Sequence, residues 1–489
     1  MNIITIDLGT TVCKVRSYDV NGRVMREYSE EISTRHPQPD WAEQDPGGWW
    51  EVILRGFRQC ADGETAAIGI CSHRESILAV DKEGRVILPC ILWADRRCDA
   101  EARELDGNFG RDIHQETGMK PDPYFSAPKI LWVKRNRPGL MAKIRKFLLP
   151  KDYLVFRLTG KYSTDWSVAS RTMMFSLRKR EWWGEMLDYL GIEENRVCDP
   201  VDSDTVVGDV TGSVRTQLGL PKGVVVVAGA GDRQCEALGA GVSPSTAMES
   251  TGSATNLSIS ASSLPGNLSE GLLYSCHAVS GQYLLEQGIG STGLALRWFR
   301  DTFRPPGCER EFSKNPYGVI DREASRSVPG SNGLTFLPFL MGAQATRWNP
   351  GAKGVFFGIR LGHGYGDMAR AVLEGIAFEI RAAIGVLVEE NLDPGTILAL
   401  GGSAGSETWN RIKADAIGRI YSKPRVTSAA SLGAMILGVN GCGLESPPPC
   451  DLNPVESRFA PDPETRDAYD RAYRTYERLY RACEDVFRG

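Results

Sequence analysis

Apolar and polar positions alternate through residues 3–32, which predicts three antiparallel strands. IITIDLGTT runs into a turn, VCKVRSYDV returns, Asn21-Gly22 turns again, and RVMREYSEEIS follows. A helix is predicted over 49–59 after a proline-punctuated loop, a strand over 66–71, and a hairpin from 77–81 to 86–88. Helical spacing dominates 99–190, with 122–125 as a loop and Leu149-Pro150-Lys151-Asp152-Tyr153 opening one helix. Strand patterning returns at 206–210 and in the uninterrupted valines of 224–227. After Gly241 the pattern restarts with strand, turn, strand over 247–259, a strand at 283–290 and a helix at 291–303. Residues 305–332 read as a proline- and charge-rich connection. A long amphipathic helix over 367–391 carries Ala371, Leu373, Ile376, Ala377, Ile380 and Ile384 at helical spacing. A buried strand at 396–400 and a helix over 408–420 flank a glycine-rich turn.

Several turns bring chemistry to strand ends. Asp7-Leu8-Gly9-Thr10-Thr11 puts a carboxylate, a glycine and two hydroxyls on one tight loop, with Lys14 on the return strand. Such a loop can hold phosphate oxygens, and its carboxylate can hold magnesium through water. Glu249-Ser250-Thr251-Gly252-Ser253 repeats the design half a chain later. Two such hairpins imply an internally duplicated fold whose loops would face each other across a cleft. Gly401-Gly402-Ser403-Ala404-Gly405-Ser406 between strand and helix is a common nucleotide-binding arrangement, although neither G-x-G-x-x-G nor G-x-x-x-x-G-K-[ST] is present. Asp232 follows the valine strand and a Gly229–Gly231 turn, and is open to two readings, helix N-cap or ligand-facing carboxylate. Arg74 and Glu75, after the 66–71 strand, could pair with vicinal hydroxyls or with each other at the surface.

Size and charge narrow the class. At 489 residues, two large or three smaller domains are expected. A hydrophobic content of 42% and a net charge of −4 fit an ordinary globular protein and offer no polycationic face for nucleic acid. No leader and no bilayer-spanning apolar run is read, so a cytoplasmic protein with no membrane partner is expected. The twelve cysteines are scattered without a C-x-x-C pair, so reduced thiols are expected and a structural zinc is not.

Taken in order, IDLGTT, DWAEQDP, ILWADRR, LLPKDYLVFRLTG, GAGDRQCEALGAG, STGSATN and LALGGSAGSETWNRIKADAIG resemble the carbohydrate kinases of the FGGY family over residues 2–440. The resemblance implies an α/β fold of two ribonuclease-H-like (actin/hexokinase-type) domains flanking a catalytic cleft. Residues 1–242 would hold the sugar, the base and the first phosphate loop, and 243–489 the second phosphate loop and adenosine. It further implies ATP and Mg2+, with Asp232 as general base and Asp7 organising the metal. Thr10, Thr11 and Lys14 would face phosphates, Thr251 and Gly252 would hold the transferring phosphoryl group, and Gly401, Gly402 and Ser406 would line the adenosine pocket.

The substrate is less determined. LLPKDYLVFRLTG, CHAVSG and the glycines after Leu238 resemble xylulokinases, whereas His73-Arg74-Glu75, Asp122-Pro123-Tyr124-Phe125-Ser126 and Ser170-Arg171-Thr172-Met173 resemble glycerol kinases. By that resemblance Arg74, Glu75, Trp93 and Tyr124 would contact the acceptor. Arg233 departs from both patterns, and could read a sugar carboxylate or pair with a neighbouring acid such as Glu236 or Glu75. The expected activity is ATP-dependent phosphorylation of a small ketose or polyol, D-xylulose first, with glycerol or another polyol as the alternative. A sugar-independent actin-like ATPase is the rival of a different class, and a homodimer is compatible with the resemblance.

Overall fold

The computed structural model describes residues 1–344 and 346–488. The chain forms two compact units. The first comprises Met1–Gly241, Ala261–Leu284 and Ala429–Leu452; the second comprises Val242–Ser260, Leu285–Ser428 and Asn453–Gly489. Where one break at 242 is expected from sequence, two later segments return to the first unit.

In the first unit the strands Val206–Asp209, Val225–Val227, Thr65–Ser72, Asn2–Leu8, Val12–Asp19 and Val24–Glu31 lie in that order. Asn2–Leu8 is antiparallel to Val12–Asp19 and parallel to Thr65–Ser72, and the short strand Ala230–Gly231 is also parallel to Thr65–Ser72. One face is covered by the helices Pro46–Cys60 and Pro150–Thr159, whose buried Trp49, Ile53, Phe57, Leu154 and Leu158 pack with Ile4, Ile6 and Ile68. The helix Ala430–Gly441 covers Ile3, Tyr18 and Ala67 with Leu432, Met435, Ile436 and Val439. Its small residues allow near-backbone contact: a Cβ on Gly433 would stand 1.9 Å from the Cys235 carbonyl oxygen. Cys235 lies on the helix Asp232–Ala240, which is thereby seated with its first residue at the sheet's edge.

The second unit repeats the plan. Thr246–Thr251 is antiparallel to Thr255–Ala261 and parallel to Thr396–Leu400, which is parallel to Ile420–Pro424. The long helix expected near 367–391 is Tyr365–Glu389, with Leu373, Ile376, Ala377, Ile380 and Ile384 buried. A hairpin flanked by a parallel strand in each unit is the duplication read from the two turns, and the fold is α/β of the ribonuclease-H-like, actin/hexokinase type. Residues 305–332 are not a bare connection: they contain the helices Glu309–Lys314 and Pro316–Ser325. Among the described residues no helix is long and apolar enough to cross a membrane.

Candidate active site

In the first unit three loops leave the same edge of the sheet, because Leu8 and Gly231 are both in register with Ser72 on parallel strands. They carry Gly9-Thr10-Thr11, His73-Arg74-Glu75 and Asp232. Carboxyl ends of adjacent parallel strands are where open α/β sheets collect ligands.

Asp232 is the first residue of its helix and not its cap. Gly231 takes the N-cap position without a side-chain bond, and Asp232 Oδ1 accepts from the Arg233 amide at 2.8 Å. Its side chain keeps 37% of its surface exposed, enough to meet a ligand. Arg74 Nε stands 3.2 Å from Asp232 Oδ1 and 3.6 Å from Glu75 Oε1, and Nη1 donates to Gln234 Oε1 at 3.2 Å. Arg74 and Glu75 are buried, so they are not the solvated surface pair that was one of two readings. Glu75 adopts a left-handed backbone with φ 63°. Holding a non-glycine residue there costs about 1–3 kcal/mol, a strain that concentrates at functional sites. Arg171 Nε donates to Glu75 Oε1 at 2.6 Å.

Around this core, Trp93 Nε1 donates to Thr10 Oγ1 at 2.9 Å, and its ring lies 5.4 Å from that of Tyr124. Lys129 holds the Tyr124 loop by donating to the carbonyls of Pro123, Tyr124 and Phe125 at 2.6–3.0 Å. Burial drives the Lys129 ammonium down to about 8. Arg233 Nη1 reaches Glu236 Oε2 at 2.6 Å, the pairing alternative read from sequence. His73, fully enclosed beside Trp49, is pushed by burial down to about 4, so it is neutral near pH 7.

Asp7 faces Lys14 across the hairpin, and its Oδ2 accepts from Ser431 at 3.0 Å. Burial raises its carboxyl and Lys14 opposes the rise. Thr11 is exposed and Thr10 half-buried on the same turn. Among the described residues no group of three or more His, Cys, Asp or Glu side chains is arranged to hold a metal ion. A carboxylate beside a phosphate-type hairpin suits Mg2+, which binds through one or two carboxylates with its waters and the substrate's phosphates.

The second unit holds the other candidates. Ser250 and Leu400 are in parallel register, so Thr251 and Gly401 begin loops at one sheet edge. Gly401 has φ 72°, and a Cβ on it would stand 2.8 Å from the Thr251 carbonyl oxygen. The Thr251 hydroxyl is buried and bonded to Glu249 and Thr255, so this loop presents outward the exposed backbone of Gly252. Gly402 is exposed, and Ser406 caps the helix Glu407–Ile417, its Oγ accepting from the Trp409 amide at 3.0 Å.

Sequence reasoning did not place Arg171, Ser431, Gln234 or Lys129 at the site. Ser170-Arg171-Thr172-Met173 carried a signal of resemblance; the others had no local pattern to reveal them.

Residues 2–239 match the N-terminal domain, and 246–442 the C-terminal domain, of the FGGY family of carbohydrate kinases. The chain belongs to that family. Among curated relatives, xylulose kinase of Escherichia coli K12 is 31% identical over 496 residues, 98% of each chain. Glycerol kinase of Thermococcus onnurineus is 29% identical, covering 89% of this chain and 88% of its own. The crystal structure of xylulose kinase from Rhodospirillum rubrum superposes with a TM-score of 0.93 at 25% identity over 100% of both chains. As an FGGY carbohydrate kinase the protein is a phosphotransferase that uses ATP and a sugar-type hydroxyl acceptor.

Proposed function

We propose that this FGGY kinase phosphorylates an uncharged small ketose, D-xylulose first. The observation that carries the choice is the charge pairing around Asp232. Arg74 meets Asp232 and Glu75, Arg171 meets Glu75, and Arg233 meets Glu236, all within 3.6 Å. A sugar acid would have to compete with these carboxylates for a cation, whereas hydroxyls can both donate to the acids and accept from the guanidinium N–H groups. The similarity to xylulose kinases over the full chain favours the ketose. The buried Arg74-Glu75 pair and the Trp93–Tyr124 wall support glycerol or another polyol as the second reading.

In this reading Asp232 takes the proton of the attacking hydroxyl, whose oxygen bonds to the γ-phosphorus as the bond to the β–γ bridging oxygen breaks and ADP leaves. Such transfer asks mainly for positioning and charge neutralisation. Arg74 and Glu75 orient the acceptor, with Trp93 and Tyr124 against its carbon skeleton. Thr10, Thr11 and Lys14 take phosphate oxygens in the first unit. The Thr251-Gly252 loop takes the transferring group in the second, and Gly401, Gly402 and Ser406 line the adenosine site. Asp7 would hold Mg2+, whose charge would neutralise the phosphate oxygens. The N-terminal role for residues 1–242, the C-terminal role for 243–489, a cytoplasmic location without nucleic-acid partners, and a homodimer belong to the same proposal.

The test is an ATP-coupled assay with D-xylulose, glycerol, erythritol, D-ribulose, L-ribulose and gluconate. Turnover of D-xylulose above the rest, with gluconate poorest, is expected. ATP hydrolysis indifferent to every sugar would instead make the protein an actin-like ATPase.

A further inference from the structure

A fully buried ion pair lies behind the two loops of the second unit, and none of the roles above uses it. Lys413 on the helix Glu407–Ile417 and Glu249 on the strand Thr246–Thr251 are each 0% exposed, with Nζ 2.7 Å from Glu249 Oε2. The other Glu249 oxygen accepts the Thr251 hydroxyl, which also bonds Thr255, and Thr255 donates to Thr292 Oγ1 at 2.9 Å. Lys413 Nζ further donates to Ser403 Oγ at 3.4 Å, inside the glycine-rich turn, and lies 4.2 Å above the Trp409 ring. One ammonium thus reaches both loops, directly in one and through Glu249 in the other.

Stability does not account for this arrangement. Desolvating two charges costs several kcal/mol per ion, and apolar residues of similar volume commonly pack at no loss. Burial lowers the Lys413 ammonium below its usual range, and the Glu249 carboxylate opposes that fall. What the pair supplies instead is geometry. Gly401 already abuts the Thr251 backbone, so a small shift of either loop moves the other.

We propose that Lys413 is a positioning residue for nucleotide binding, locking the Thr251 loop through Glu249 and the glycine-rich turn through Ser403 into one relative setting. This rests on the assignment of these two loops to the nucleotide.

The test compares wild type, Lys413→Met and the double variant Lys413→Met/Glu249→Leu, each titrated with ADP in the presence of Mg2+ and assayed for KM of ATP and of the sugar. Lys413→Met strands a buried carboxylate and lowers Tm, whereas the double variant removes both charges and recovers it. Both are expected to weaken ADP binding and raise the KM for ATP about tenfold, the size of a coupling between contacting residues, with the KM for sugar unchanged. A double variant with wild-type Tm and wild-type ADP affinity would make the pair purely structural and overturn the proposal. If the single variant does not fold, the double variant decides. Wild type that binds ADP but phosphorylates no sugar defeats only the proposed function, and the ADP comparison still judges Lys413. Wild type that binds no ADP defeats both.

Discussion

The Arg74 guanidinium stands 3.2 Å from the Asp232 carboxylate, and the absence of a side chain at Gly231 is what admits it. A Cβ there would lie 2.5 Å from Arg74 Cδ and 2.6 Å from Gln234 Oε1. Gly231→Ala is therefore expected to push Arg74 off Asp232. It should raise the KM for the sugar by about tenfold, one lost hydrogen bond to a charged group, and leave ADP affinity in place. Steady-state kinetics with ADP titration checks this; an unchanged sugar KM counts against Arg74 as a substrate contact.

Asp232→Asn keeps the volume and removes the proton acceptor. Turnover should fall by about 10²–10⁴, with nucleotide affinity close to wild type. An Asn variant of full activity would exclude Asp232 as the base.

Glu75 and Arg171 form a buried pair, 2% and 3% exposed, at 2.6 Å. Arg171→Met should cost about 3 kcal/mol of stability by leaving a buried carboxylate short of a partner. Adding Glu75→Gln should restore much of the stability but not sugar binding. Denaturant titration and the sugar KM separate the two effects, and recovery of both together would reduce the pair to a structural role.

His73 sets a pH dependence. Its imidazole is held at about 4 in the folded protein against 6.5 in the unfolded chain. Between those values the unfolded state binds more protons, so stability is complete above pH 6.5 and falls as pH drops towards 4. The loss from this one residue is about 3 kcal/mol. Urea unfolding from pH 7.5 to 4.5 should show a slope that His73→Gln reduces; equal slopes in both proteins would refute it.

How far the sequence could be read depended on where a residue's partners lie. The two hairpins were legible because Asp7-Leu8-Gly9-Thr10-Thr11 and Ser250-Thr251-Gly252-Ser253 carry their turn chemistry within a few positions. The helix Pro316–Ser325 was missed because the prolines and charges of 305–332 read as breakers, yet Pro316 occupies the first helical turn, where it is welcome, behind an Asn315 cap. The helix Ala430–Gly441 gave no periodic signal because Ser431 through Val439 is buried all round. Asp7 meeting Ser431, and Glu75 meeting Arg171, are contacts across 424 and 96 positions that no local pattern encodes. The buried hydroxyl of Thr251 was equally hidden, since a threonine in a phosphate-type turn looks the same whether it points out or in.

The return of residues 429–452 to the first unit has a consequence for synthesis. The patch of sheet formed by Ile3, Tyr18 and Ala67 is made early but roofed only by Leu432, Met435, Ile436 and Val439. A ribosome must therefore carry an unfinished, greasy first half through most of translation before that roof emerges. Chains cut short before Ala429 are expected to be substrates for chaperones and proteases, and fragment 1–241 expressed alone should collect in the insoluble fraction.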